Sequence, residues 1–217
     1  MWTYTLKDWQ NLAKPKQELL YNCSEFDRQE DGWVPFTIGM SYQFINYVDS
    51  LENVQKGVHN DLVLCAVSPW TDRTRRGKSP LCRDRILETL FTNGISNQTL
   101  NPSDYFQSLP KYKFVISPEG NGIDCHRHYE ALMAGCIPIV EEHAGIREKY
   151  AGCPVVYTKD YSEITPVYLE SIYPSYSERT WDFSKLILSS YPEETQKEIR
   201  TNGNYWGMRT VGKSWYY

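Results

Sequence analysis

Nowhere in the 217 residues do about 18 apolar side chains run together, as a membrane-spanning helix would require. The opening MWTYTLKDWQNLAKPKQELL also lacks a basic stretch leading into an apolar one. Together these absences predict a soluble, cytoplasmic chain with no membrane span. No C-x-x-C pair occurs either: Cys23, Cys65, Cys82, Cys125, Cys136 and Cys153 are scattered, which predicts reduced, mostly buried thiols rather than a disulfide frame. The sequons at Asn22 and Asn97 carry no weight without a secretory signal. There is no Asp-x-Asp to hold a metal–diphosphate complex, so neither a metal nor a resident cofactor is expected. Basic residues are not in excess. With 23 Lys and Arg against 27 Asp and Glu, a net charge of −4, the molecule as a whole is not built for nucleic acid or for an anionic membrane.

Aromatic residues are plentiful, with 17 Tyr, 7 Trp and 7 Phe, and 41% of the chain is hydrophobic. That is enough for one large domain, or for a domain with a small appendage. Residues 1–58 look irregular. They hold the charge-mixed run NCSEFDRQEDGW and then SYQFINYVDSLENV, in which Tyr42, Ile45, Tyr47, Val48 and Leu51 fall near helical spacing. This predicts a short N-terminal cap.

From residue 59 to 217 the pattern changes to short apolar runs alternating with helical segments. This is the pattern of an α/β fold, a Rossmann-like parallel sheet flanked by helices. Strands are predicted at 61–67, 113–117, 136–140 and 154–158. Helices are predicted at 81–93, closed by Gly94, at 102–110, at 125–135 ending on Gly135, at 162–172 capped by Ser162, and through PEETQKEIR.

Two charged clusters stand at the carboxyl ends of predicted strands, where open parallel sheets bind ligands. The first follows strand 113–117: SPEGNGIDCHRHYE. Gly120 and Gly122 let a ligand approach the backbone, and the next helix points its N–H-rich end at the same place. A phosphate suits that position. Arg127 adds a charge, and Glu130 lies one turn deeper on the same face, suited to ribose hydroxyls; an Arg–Glu surface pair is the alternative. Ser117, Asn121, Gly122, Asp124 and His126 complete the expected donor contacts.

The second cluster, TDRTRRGKSPLCRDR, packs Arg73, Arg75, Arg76, Lys78, Arg83 and Arg85 together and reads as a local anion site or a solvated loop. Its GKS is not a P-loop, because Asp72 stands where the loop needs glycine. Asp72, beside Trp70, is a candidate catalytic base, and its alternative role is to neutralise a neighbouring arginine. Glu30, Asp31 and His59 are its rivals. Asp124, Cys125, His126 and His128 suggest a metal site only weakly, since neighbours on a helix point apart.

The run YFQSLPKYKFVISPEGNGIDCHRHYEALMAGCIPIV, followed by PVVYTKDYSEIT, resembles the nucleotide-sugar-binding half of exostosin-like glycosyltransferases of the GT-B type, including relatives encoded by large DNA viruses. The resemblance spans about residues 60–170, and HRHYEAL with GCIPIV carries most of it. It implies a donor diphosphate near Arg127 and a donor ribose near Glu130. The activity expected is a hexosyl or pentosyl transfer from a nucleoside-diphosphate sugar, UDP-linked, to a glycan hydroxyl; the missing Asp-x-Asp makes it metal-independent, and an inverting displacement is the simpler mechanism. GT-B enzymes have two full lobes, and here only 58 residues precede the donor half. The alternatives are therefore a non-catalytic nucleotide-sugar-binding module, or a half-enzyme completed by a partner chain or a second copy.

Overall fold

The computed structural model describes residues 2–23, 36–47 and 52–216. The chain opens with β1 (Thr3–Thr5), α1 (Leu6–Asn11), α2 (Gln43–Tyr47) and α3 (Glu52–Gln55). Next come β2 (Asp61–Leu64), α4 (Arg73–Arg76), α5 (Arg83–Thr92), α6 (Pro102–Ser108), β3 (Tyr112–Ile116), α7 (His126–Met133) and β4 (Ile137–Glu141). The last elements are α8 (Ala144–Lys149), β5 (Val156–Thr158), α9 (Pro166–Ser177), β6 (Thr180–Asp182) and α10 (Glu193–Val211). Helices α5 and α7 are followed by Gly94 and Gly135 at φ +87° and +78°, the left-handed positions that stop a helix.

Strands β2, β3, β4 and β5 form one parallel sheet in sequential order. Side chains alternate across it, as a strand's period of two requires. Leu64, Val115 and Val140 join the core under α6 and α7 with Phe106, Ala131 and Leu132. Phe114, Ile116, Ile137, Ile139 and Val156 face the other way, onto Ile86 and Leu90 of α5 and Leu169 of α9. The fold is thus α/β with a Rossmann-like sheet covered on both faces. Ser162 does not cap α9; Thr165 does, accepting from the Tyr168 N–H at 3.1 Å. Pro166, with its fixed φ and missing N–H, sets the first helical position three residues later than the periodicity suggests.

The N-terminal residues are woven into the C-terminal ones. β1 pairs antiparallel with β6, Trp9 stacks on Phe183 at 4.0 Å, and Tyr21 stacks on Trp215 at 4.4 Å. The Trp9 indole N–H donates to the Leu132 carbonyl of α7 at 2.7 Å. The buried Tyr129 hydroxyl, on the same helix, accepts from the Leu20 N–H at 2.8 Å and donates to the Leu186 carbonyl at 2.7 Å. Both ends of the chain therefore fix the back of α7. All six cysteines are free, five of them buried. Among the described residues no helix is long and apolar enough to cross a membrane.

Candidate functional site

The turn between β3 and α7 is held by its carbonyl oxygens. Arg83, only 4% exposed, donates to Glu119 O at 2.8 Å, Pro118 O at 3.0 Å and Ser68 O at 3.2 Å. Arg75 donates to Gly120 O at 3.0 Å, and the Gly120 N–H closes on Gly122 O at 3.0 Å. From inside α7, His128 Nε2 meets Ile123 O at 3.2 Å, while Nδ1 meets Ser117 Oγ at 2.6 Å. A carbonyl only accepts, so Nε2 carries the proton and Nδ1 accepts from the serine. Burial drives the His128 pKa down to about 4, which keeps the ring neutral.

Past Gly120 the backbone N–H groups are left over. From Asn121 to Arg127, none of the seven consecutive backbone N–H groups has an acceptor among the described residues. Such a row at a helix start is a concentrated region of positive potential. Gly120 is required for the clamp itself, because a Cβ there would lie 2.9 Å from Arg83 Nη2 and 3.3 Å from Cys125 Sγ. Gly122 is open, with its nearest neighbour at 3.7 Å.

Beneath the turn lies a hub of acidic and basic side chains. Arg76 reaches Glu141 at 2.9 Å, Glu119 at 3.1 Å and Asp72 at 3.6 Å. Glu119 also accepts from Arg75 at 2.6 Å, and the second Glu141 oxygen accepts from the Glu119 N–H at 3.0 Å and the Tyr161 hydroxyl at 3.1 Å. Burial pushes the Glu141 carboxyl above its ordinary pKa, against the downward pull of the Arg76 hydrogen bond. For Arg76 burial opposes the charge, yet its bond to Glu141 and the three carboxylates outweigh it and hold the pKa up. Asp72, 1% exposed, accepts from the Arg83 N–H at 2.9 Å. It fixes the start of α5 and is closed to solvent.

Helix α7 carries the side chains expected at a donor. Arg127 leaves the first turn and donates to Ala66 O, just beyond β2, at 2.9 Å. Its guanidinium lies 5.4 Å from the centre of the Tyr105 ring, and its buried Nε has no partner among the described residues. Glu130 makes no ion pair with Arg127 among the described residues; it accepts from the Ser41 N–H at 3.1 Å. The Tyr105 hydroxyl, held far above its ordinary pKa by burial and then by the Glu130 charge, stays a phenol.

Residues 38–41 lie along this helix as a strap. Besides the Ser41 contact, the Ile38 N–H donates to Asp124 at 3.0 Å and His126 Nδ1 donates to Gly39 O at 2.9 Å. Asp124 is further bound by Lys149 and Tyr150 at 3.0 and 2.7 Å. Gly39, at φ +77°, would place a Cβ 2.4 Å from the Leu20 backbone, so no other residue fits the strap there.

Asn121 and Gly122 are exposed in the turn and Arg127 is half-buried at the start of α7, whereas Glu130, 4% exposed, lies under the strap. The structure draws Ser117, Asp124, Arg76 and Arg83 into internal bonds. Arg73 and Lys78 remain exposed, the former with its guanidinium 4.0 Å over the ring of Trp70, which is itself 58% exposed. His59 sits at the opposite, amino end of the sheet, bound to Tyr112 O at 2.6 Å and buried. Glu30 and Asp31 lie outside the described residues. Among the described residues no three His, Cys, Asp or Glu side chains cluster to hold a metal ion. Sequence reasoning missed Glu119, Glu141, Tyr105 and Ser41. Of these only Glu141, an acid ending an otherwise apolar strand, carries a sequence signal.

A comparison of the chain with curated proteins gave no match. Residues 91–188, just under half of the chain, match the family model described as the RXYLT1 C-terminal domain. That stretch includes the turn, α7, and all of β3, β4 and β5, and the match supports a relationship to exostosin-like glycosyltransferases.

Proposed function

We propose that this protein is a glycosyltransferase that binds a nucleoside-diphosphate sugar, UDP-linked, at the turn between β3 and α7 and passes the sugar to a glycan hydroxyl. The observation that carries this reading is the row of seven unaccepted N–H groups from Asn121 to Arg127, opposite an arginine anchored on the end of β2. A diphosphate is the ligand such a row recognises, and a leaving diphosphate is what it stabilises as the glycosidic bond breaks. Arg127 adds a fixed guanidinium. Glu130, one oxygen on the Ser41 N–H, offers the other to the ribose. Trp70 and Arg73 form the exposed wall. Asp72 acts by positioning Arg76 and the start of α5, and the transfer is a direct, inverting, metal-independent displacement in which the acceptor oxygen bonds to the anomeric carbon as the bond to the diphosphate breaks, the hydroxyl proton passing to solvent water.

One observation favours a binding module instead: the described residues present no uncovered carboxylate at the turn, since Asp72, Glu119 and Glu141 all pair with Arg76. A single experiment separates the two readings. The protein is incubated with a panel of UDP-linked hexoses and pentoses, and release of UDP is followed. Turnover, even slow hydrolysis, supports the enzyme; saturable binding without UDP release supports the module; no binding of any nucleotide sugar overturns both. In Glu130→Gln, which keeps the acceptor for Ser41, UDP binding weakens by about 1–3 kcal/mol. Unchanged affinity would remove Glu130 from the donor site.

A further inference from the structure

A groove of about 390 Å³ runs beside β5, the edge of the sheet opposite β2. Its wall includes Arg147, Tyr157, Tyr168, Tyr176, Arg179 and Trp181. Two guanidinium groups face this space and no carboxylate lines it, in a protein whose net charge is −4. Both cations are laid flat on aromatic plates. Arg147 lies 4.0 Å over Tyr157 and Arg179 lies 4.3 Å over Trp181. The Trp181 plate is itself fixed, stacked on Tyr176 at 5.3 Å and donating its indole N–H to Tyr176 O at 2.8 Å.

The two arginines differ in what balances them. Arg147 holds Glu142 in a two-pronged ion pair, whereas Arg179 has no carboxylate within ion-pair distance among the described residues. The Tyr157 and Tyr168 hydroxyls likewise have no hydrogen-bond partner among them. A flat, weakly hydrated guanidinium with preset orientation matches carboxylate and phosphate oxygens two at a time. Ring faces already covered by guanidinium or by another ring leave little for a nucleobase to stack on. Phenol hydroxyls beside the cation suit sugar hydroxyls.

The geometry points to this groove as a binding site for an anion-bearing sugar of a glycan chain, with Arg179 taking the carboxylate or phosphate and the tyrosine hydroxyls taking the ring hydroxyls. That the glycan is the acceptor rests on the glycosyltransferase reading; the anionic-sugar site itself does not. Lying beyond β3 and β4 from β2 and Arg127, the groove would hold the chain at a distance from its reacting end.

The test follows the Trp181 indole N–H resonance of the ¹⁵N-labelled protein, assigned with Trp181→Phe. The probes are a hyaluronan tetrasaccharide, neutral chitotetraose, inorganic phosphate and a pentaglutamate peptide. The tetrasaccharide is expected to shift the resonance saturably. Its affinity should fall about tenfold in Arg179→Gln, and to a smaller extent in Arg147→Gln, while UDP binding is unchanged in both. Chitotetraose should leave the signal in place, and phosphate and pentaglutamate should bind more weakly than the tetrasaccharide. An unchanged tetrasaccharide affinity in Arg179→Gln overturns the site. Equal binding of phosphate makes it a free-anion site, tighter binding of pentaglutamate makes it a protein-docking site, and either removes the sugar. If no nucleotide sugar binds but the Arg179-dependent shift persists, the groove stands and the transferase reading falls.

Discussion

The two charged clusters at the carboxyl edge of the sheet differ in what their charges do. The stretch from Arg73 to Arg85 holds most of the local cations, yet Arg75, Arg76 and Arg83 are bound to carboxylates and carbonyls. The turn and the first residues of α7 hold a single arginine, and there the backbone N–H groups are the unpaired donors. The first cluster therefore builds the second. Buried Arg83 holds the carbonyls of Pro118 and Glu119, and the more exposed Arg75 holds that of Gly120, whose peptide unit ends in the free Asn121 N–H, so the proposed anion site consists of backbone dipoles supported by charges rather than of the charges themselves.

Arg83→Ala is the harshest test of that division of labour. Three carbonyls lose their donor in a buried place, so stability should drop by about 3–5 kcal/mol, read as the urea midpoint, and UDP binding should vanish with the clamp. A variant that stayed folded and bound UDP would collapse the distinction between the clusters. Arg127→Ala should do the reverse. UDP release is expected to slow about 10²–10³-fold, with stability lowered by only about 1 kcal/mol for the single bond to Ala66 O; Lys should rescue only partly, having lost the planar fork. Equal losses of stability and turnover would make Arg127 part of the scaffold.

His128 probes the clamp from inside the helix. The buried ring titrates near pH 4, below the unfolded value of about 6.5. Stability from keeping it neutral is complete above pH 6.5 and is lost as pH falls through 4, a decline of about 3 kcal/mol. In His128→Gln, which can still bridge Ser117 and Ile123, urea titrations at pH 7, 5.5 and 4 should lack this slope; an identical slope would mean that other groups cause it. The smallest effect belongs to the exposed rim. Arg73→Ala should weaken UDP binding by under about 1 kcal/mol, as an exposed, salt-screened charge does. A loss as large as that of Arg127→Ala would return the anion site to the arginine cluster.

The sheet was legible because its strands are short, apolar and spaced by helices; every predicted strand is present within a few residues. Turn and helix were legible too, since Gly120, Gly122 and Gly135 punctuate them. The pairing of the arginines was not. Arg76 meets Glu119 and Glu141, 43 and 65 positions away, and nothing local tells an arginine that folds inward from one left in water. Arg73 and Arg76 look alike in sequence, yet one lies on an exposed tryptophan and the other beneath the turn. The boundary of α9 failed for a simpler reason: Ser162 is a plausible cap, but Pro166 decides. The strap could not be foreseen at all, because Ser41 and Glu130 stand 89 positions apart and lie together where Leu20, which holds Met40, docks on Tyr129.

That docking bears on how the chain comes off the ribosome. Leu20 meets Tyr129 and Leu19 accepts from Tyr216, a partner 197 positions later. At roughly 5–20 residues per second, the apolar side chains of Trp9, Leu19, Leu20 and Tyr21 wait on the order of ten to forty seconds for Phe183, Trp215 and Tyr216 to emerge. A core closed by contacts this distant forms slowly, so the interval in which these residues are open to chaperones, or to one another on neighbouring chains, is set by translation as much as by the fold.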